Sequence, residues 1–157
     1  LINYLRAALP SMRQSGSTLS RELELARSFL TILKMRMRER LSFSIDHDPA
    51  LENARVPPMV LPTLVENAIK HGLSPLPQGG NIDIRARRAG EDLIVEVHDN
   101  GIGFSSSAGS GVGLANTRSR LVALYGSRAS LQLASGSPRG VMASIRLPLE
   151  LAPEAAP

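Results

Sequence analysis

After residue 40 an apolar-on, polar-off rhythm recurs five times: Leu41/Phe43/Ile45, Ile82/Ile84/Ala86, Leu93/Val95/Val97, Leu131/Leu133 and Val141/Ala143/Ile145/Leu147. Side chains alternate across a strand, so each run predicts a strand with one face buried and one wet. The stretches RAGED (88–92) and SGSPRG (135–140) punctuate successive runs as hairpin connections do, which implies antiparallel pairing. Two helical segments, roughly 58–71 and 114–125, interrupt the strands. The expected fold is an α/β (α+β) two-layer sandwich: a mostly antiparallel mixed sheet with helices on one face and the other face largely solvated.

The first forty residues follow a different rhythm. Leu23, Ala26, Leu30, Leu33 and Met37 recur at three- and four-residue spacing, and Leu25, Phe29 and Ile32 widen the apolar arc to about half a helical cylinder. A helix from Ser17 to Arg40 with two packing partners is expected. Ser17 or Thr18 would cap it, with Glu22 in its first turns. Residues 1–13 form a further helical piece bent or ended by Pro10, and SGS (15–17) joins the two. The expected organisation is residues 1–40 as a helical region, 41–150 as the main domain and 151–157, LAPEAAP, as a disordered tail.

At 157 residues, with 43% hydrophobic content, the chain can bury one core. The sequence pI of about 10.3 raises the question of nucleic acid. The basic excess is local: Arg6, Arg13, Arg21, Arg27, Lys34, Arg36, Arg38 and Arg40 outnumber Glu22, Glu24 and Glu39, and the remainder is close to balance. Without aromatic residues interleaved, that excess reads as a solvated helix face, and no nucleic-acid partner is expected. No apolar run approaches the ~20 residues of a membrane helix. The start, LINYLRAALP, lacks an initiator methionine and signal-peptide architecture, and reads as the interior of a longer protein. With no cysteine, thiolate chemistry is excluded, in keeping with a reducing compartment.

The helix PPMVLPTLVENAIKHG (57–72) carries the densest chemistry. Pro57 and Pro58 suit its start and Gly72 its stop. At 100° per residue, Leu61, Leu64, Val65, Ala68 and Ile69 share one side, while Thr63, Glu66, Asn67, Lys70 and His71 share the other. Each polar residue alone is explained by a wet helix face. Asn67 argues for more, because asparagine is a poor helix-interior residue and its amide oxygen is a hard ligand suited to Mg²⁺.

In the strand DLIVEVHDN, alternation carries Asp99 to the same side as Leu93, Val95 and Val97. A carboxylate aimed at a core needs donors. An adenine amine would supply one, with Gly101 and Gly103 leaving room for the base; alternatively Asp99 caps its own Asp-Asn-Gly turn. A second glycine pair, Gly111 and Gly113, fits neither a Walker A loop nor a dinucleotide fingerprint, since position 114 is Leu. It does precede the helix LANTRSRLVALYG, whose free amides favour an anion. Asn116 lies in that helix's first turn. Arg118 and Arg120 suit either a phosphate or a solvated face.

Together, ENAIKHG (66–72), DNGIGF (99–104) and GSGVGLANTRSRL (109–121) resemble the N, G1 and G2 boxes of the GHKL (Bergerat-fold) ATP-binding domain, shared by histidine kinases, gyrase B, MutL and heat-shock chaperones. The segment from Thr18 to Gly72 resembles more narrowly the LytS/YehU-like sensor histidine kinases. The resemblance implies an ATP-binding catalytic domain that transfers the γ-phosphoryl group to a histidine. Asn67 would ligate Mg²⁺, Glu66 would polarise the attacking group, and Lys70 and His71 would approach the phosphates. Asp99 would bind the adenine amine, Gly101, Gly103 and Phe104 would shape the base pocket, and Gly111, Gly113, Leu114 and Asn116 would close the phosphate end. Residues Phe104 to Ser110 would form a short ATP lid.

The same resemblance implies a response regulator as partner, dimerisation through upstream helices, and a cytoplasmic position in a membrane-anchored bacterial protein. One feature departs from it. The family's acceptor motif, Pro-His-Phe-Leu-Phe-Asn-like, is not found here, and none of His47, His71 and His98 stands in such a helix. The fragment is expected to bind ATP without autophosphorylating, residues 1–40 being a remnant of the dimerisation and phosphotransfer region. Two other readings are a GHKL kinase of Ser or Thr, as in anti-sigma-factor kinases, and an interaction module that has lost nucleotide binding.

Overall fold

The computed structural model describes residues 16–103 and 112–153. Its elements are, in chain order, β1 (Ser17–Thr18), α1 (Leu19–Met37), β2 (Leu41–His47), β3 (Arg55–Val56), α2 (Val60–Asn67), β4 (Gly80–Ala89), β5 (Asp92–Asp99), α3 (Val112–Tyr125), β6 (Ser130–Ser135) and β7 (Val141–Pro148). A five-stranded sheet runs β2-β4-β5-β7-β6, and β1 pairs with β3 in a separate two-stranded ladder. All the sheet's neighbours are antiparallel except β2 and β4, which run parallel. This is the mixed, mostly antiparallel sandwich that the alternation predicts.

The period-two residues meet in register. Ile84 lies opposite Val97, Val95 opposite Ile145, and Leu131 opposite Ile145 from the other side. These residues are buried, and together with the apolar sides of the helices they form one continuous core. The opposite sheet face is charged, with ion pairs Arg87–Glu96 and Arg146–Asp92 lying across neighbouring strands.

Helix α1 buries Leu19, Leu23, Ala26, Phe29, Leu30 and Leu33, while Leu25, Ile32 and Met37 are only half-buried. It packs against both α2 and β2, the two partners its broad arc calls for. Thr18 is its N-cap, accepting from the Arg21 amide at 3.3 Å. The helix stops three residues short of Arg40, because Arg38 takes a left-handed φ of 55° and starts a 3-10 turn.

Helix α2 begins at Val60, later than Pro57 and Pro58 suggest, because Met59 adopts a left-handed φ of 67°. Those prolines fix the approach, while Pro62 sits in the first turn, where no amide is missed. At its other end α2 runs on into a π-helical turn, Ala68–Leu73, past the expected stop at Gly72. Thus Lys70 and His71 lie on a π-turn, a local widening that recurs at functional sites.

Candidate functional site

The five polar residues of the α2 face come together. Thr63, Glu66, Asn67, Lys70 and His71 line one side of a cavity of about 230 Å³, and Gly113 and Leu114 from the start of α3 line the other. Glu66, Asn67 and His71 are half-buried and Lys70 is exposed. The helical spacing supplies this directly, because α2 turns its apolar residues Leu61, Leu64 and Val65 into the core and leaves the polar set facing α3.

Opposite, α3 opens at Val112, so its first amides have no partner within the helix and its positive dipole end borders the cavity. A Cβ added at Gly113 would lie 3.3 Å from the Thr63 methyl, so glycine keeps this wall close to α2. Leu114 is buried and anchors the helix start in the core. Asn116 is exposed and is not among the residues lining the cavity. Phe104, Gly111 and the expected lid lie outside the described residues.

The arginines of α3 serve as anchors. Arg118 Nε donates to the Leu131 carbonyl at 3.3 Å, and Arg120 Nη1 donates to the Pro58 carbonyl. They tie α3 to β6 and to the turn before α2. Neither lines the cavity, and both side chains are exposed.

Asp99 sits at the end of β5 on the core side, in register with Ile82, and is only 7% exposed. Its Oδ1 accepts the Gly101 amide at 2.9 Å and the Val141 amide at 3.3 Å. Burial pushes its carboxyl above the ordinary range, against the pull of those two amides and of His98. The local turn cap is therefore real. It does not preclude a ligand, since both amides from described residues end on one oxygen.

Asp99 reaches the α2 polar face through backbone contact. A Cβ at Gly72 would lie 2.7 Å from Asp99 Oδ1, and one at Gly101 would lie 2.1 Å from the Gly72 carbonyl oxygen. Two glycines thus let the strand end press against the end of the π-turn, and the Ile102 amide donates to the Gly72 carbonyl at 3.1 Å. Gly103 follows with a positive φ of 83°. Asp99 does not line the Asn67 cavity. It borders a larger one, about 400 Å³, formed mainly by Asp83, Arg85 and His98 of the charged sheet face with Asn100 and Arg139. The larger cavity opens on the outer face, whereas the convergent polar face and the start of α3 belong to the smaller.

A nucleotide with a divalent metal fits these residues. Asn67 offers an amide oxygen and Glu66 a carboxylate, the hard donors Mg²⁺ prefers, and the metal would share them with phosphate oxygens and water. Lys70 and the start of α3 would offer positive charge to a phosphate placed between them. Among the described residues no cluster of three acidic or histidine side chains could hold a metal alone.

One residue of consequence was hidden from sequence reasoning. Glu22, expected as a first-turn acid of α1, is 1% exposed and bonds to α2: the Leu61 amide donates to its Oε1 at 3.2 Å, and Ser17 Oγ donates to its Oε2 at 2.9 Å. The only signal was its position, since Glu22 falls among Leu19, Leu23 and Ala26 on the buried stripe.

Comparison with known proteins identifies the family and the fold. Residues 57–151 match the family described as histidine kinase-, DNA gyrase B-, and HSP90-like ATPase. Sensor histidine kinase YesM of Bacillus subtilis is 32% identical over 142 residues, covering 87% of this chain and 25% of that protein. Sensor protein LytS of Staphylococcus saprophyticus is 32% identical over 161 residues, covering 94% and 27%. The chain therefore spans about a quarter of the length of these relatives. Among solved structures, the nucleotide-free catalytic domain of histidine kinase ThkA superimposes with a TM-score of 0.60 at 21% identity, over 80% of this chain and 90% of that one. Full-length ShkA in complex with AMPPNP gives 0.62 at 19% identity, over 88% and 32%. At such identities the likeness is one of fold. A family match over more than half the chain, on a sheet and helices of this arrangement, is conclusive: the chain belongs to the histidine kinase-, DNA gyrase B- and HSP90-like ATPase family, with sensor histidine kinases as its relatives.

Proposed function

We propose that this chain is the ATP-binding catalytic domain of a sensor histidine kinase, and that the nucleotide lies along α2 from Asp99 to Asn67. The observation that carries the reading is the cavity where Glu66, Asn67, Lys70 and His71 face the open end of α3. The Asp99 carboxylate would accept a hydrogen bond from the adenine amine, and Gly101 and Gly103 would let the base approach the backbone. Lys70, His71 and the α3 amides would receive the phosphates, with Asn67 holding Mg²⁺. When bound, the metal would neutralise charge on the phosphoryl oxygens.

Transfer would form a bond between the γ-phosphorus and an imidazole nitrogen as the bond to the ADP oxygen breaks. The protein's share is positioning and charge compensation, with Glu66 polarising the attacking imidazole. The acceptor histidine would belong to another part of the longer protein. A response regulator would then receive the phosphoryl group, dimerisation would run through upstream helices, and this domain would face the cytoplasm. Among the described residues no helix is long and apolar enough to cross a membrane, so any anchor would lie elsewhere.

Titration calorimetry of the 157-residue chain with Mg²⁺ and a non-hydrolysable ATP analogue tests the reading. Saturable binding that Asn67→Ala weakens about tenfold in Mg²⁺, but much less in chelator, is expected. Absence of binding by the unaltered chain would remove it.

A further inference from the structure

Helix α2 starts without a cap of its own. The first amides of any helix lack intrahelical acceptors, and Ser, Thr, Asp or Asn at the N-cap usually meets one. Here the N-cap is Met59, left-handed and without a side chain that can accept. The acceptor comes from another helix. Glu22 of α1 takes the Leu61 amide on Oε1 and the Ser17 hydroxyl on Oε2, and the Met59 and Val60 amides also stabilise its ionised form. Among the described residues Glu22 has no ion-pair partner.

A carboxylate at this depth is expensive, and burial raises its pKa despite those donors. A leucine would suit the neighbouring Leu19, Leu23 and Ala26 better. The turn that Glu22 grips is also held from the far side, where Arg120 donates to the Pro58 carbonyl, and from within, where Thr63 Oγ1 donates to the Met59 carbonyl at 2.7 Å. So α1, α2 and α3 meet at one short turn. Helix α2 then runs without interruption from Val60 to Asn67, about 10 Å at 1.5 Å per residue. A helix that short moves as one piece, so with its far end held at the π-turn by Gly72 and Gly101, the anchor on its first turn is the other constraint that aims Asn67.

We propose that Glu22 is a positioning residue for the metal end of the nucleotide site: it caps α2 from α1 and thereby sets the direction in which Asn67 and Glu66 face the cavity. This rests on the function proposed above. Acting through α2, Glu22 governs the Mg²⁺-dependent part of nucleotide affinity and leaves base recognition at Asp99 untouched, because the strand end is held separately by Gly72 and Gly101.

The test compares Glu22→Leu with Glu22→Gln in the 157-residue chain, using ADP with Mg²⁺, ADP with chelator, and adenosine as probes. Leucine keeps the volume and removes the acceptor; glutamine keeps an acceptor oxygen and can exchange roles with the Ser17 hydroxyl. Glu22→Leu is expected to lose the Mg²⁺-dependent gain in ADP affinity, about five- to tenfold, with adenosine binding unchanged. Glu22→Gln is expected to restore most of it. Ser17→Ala, which frees Oε2 alone, should show a smaller loss of the same kind, and it decides the matter if Glu22→Leu does not fold. An unchanged Mg²⁺ gain in the variants, or an equal loss for ADP and adenosine, overturns the proposal. Failure of the unaltered chain to bind any nucleotide would instead strike the proposed function.

Discussion

Helix α2 and its π-turn have a buried carboxylate at each extremity, and the two are held differently. At the N-terminal end Glu22 spends one oxygen on a helix amide and the other on a hydroxyl. At the far end, among the described residues, Asp99 takes two backbone amides on the same oxygen. Both acids are raised above their ordinary pKa, chiefly by burial. A perturbed acid is thus a poor guide to function by itself. On the proposed function, the distribution of donors among the described residues would separate an acid that completes the fold from one that meets a ligand.

The comparison breaks hardest at the support beneath Asp99. Gly101→Ala would drive a methyl into the Gly72 carbonyl, a backbone contact that cannot yield by rotating a side chain. Urea unfolding should show a loss of about 3 kcal/mol or more, with nucleotide binding failing at the same time. Asp99→Asn comes next and should act on the ligand rather than the fold. Asparagine keeps an oxygen for the Gly101 and Val141 amides but sets an amide group against the adenine amine. Calorimetry should show more than about a tenfold loss of affinity, while stability moves by less than about 1 kcal/mol. A large stability loss with little loss of affinity would make Asp99 the structural acid of the pair.

The smallest effect is a pH profile. Glu22 has its folded pKa raised above 4.5, so its contribution to stability is fully present below pH 4.5 and is lost as pH rises through the folded value. Glu22→Gln has no such term. Thermal melts from pH 4.5 to 8 should therefore show the variant gaining on the unaltered chain as pH rises. A constant difference would mean that Glu22 stays as easily ionised as in the unfolded chain.

The sheet and the α2 polar face were legible because each is written in a periodicity. Ile82/Ile84/Ala86 and Leu93/Val95/Val97 declare their buried side without knowledge of the rest of the chain, and so do Glu66, Asn67, Lys70 and His71. The parallel pairing of β2 with β4 was not legible, since strand order depends on a crossover that no local pattern encodes. Nor was the start of α2: two prolines announce a helix, but the left-handed Met59 that delays it is set by tertiary contacts. Asp99 was placed on the correct face and given two roles, of which the turn cap is visible. The task of Glu22 escaped because its partner, Leu61, lies 39 residues away. A buried-stripe glutamate tells only that some donor must exist.

The close approach of Gly72 and Gly101 has one more consequence. It welds the end of β5 to the π-turn, so in the proposed site the stretch from Asn67 to Gly72 would act as a gauge rod between Asn67 and Asp99. Its length is written in residue count alone. One residue inserted between Ala68 and His71 would lengthen that rod and rotate Glu66 and Asn67 relative to Asp99, leaving every side chain present and the instrument cut for a different molecule.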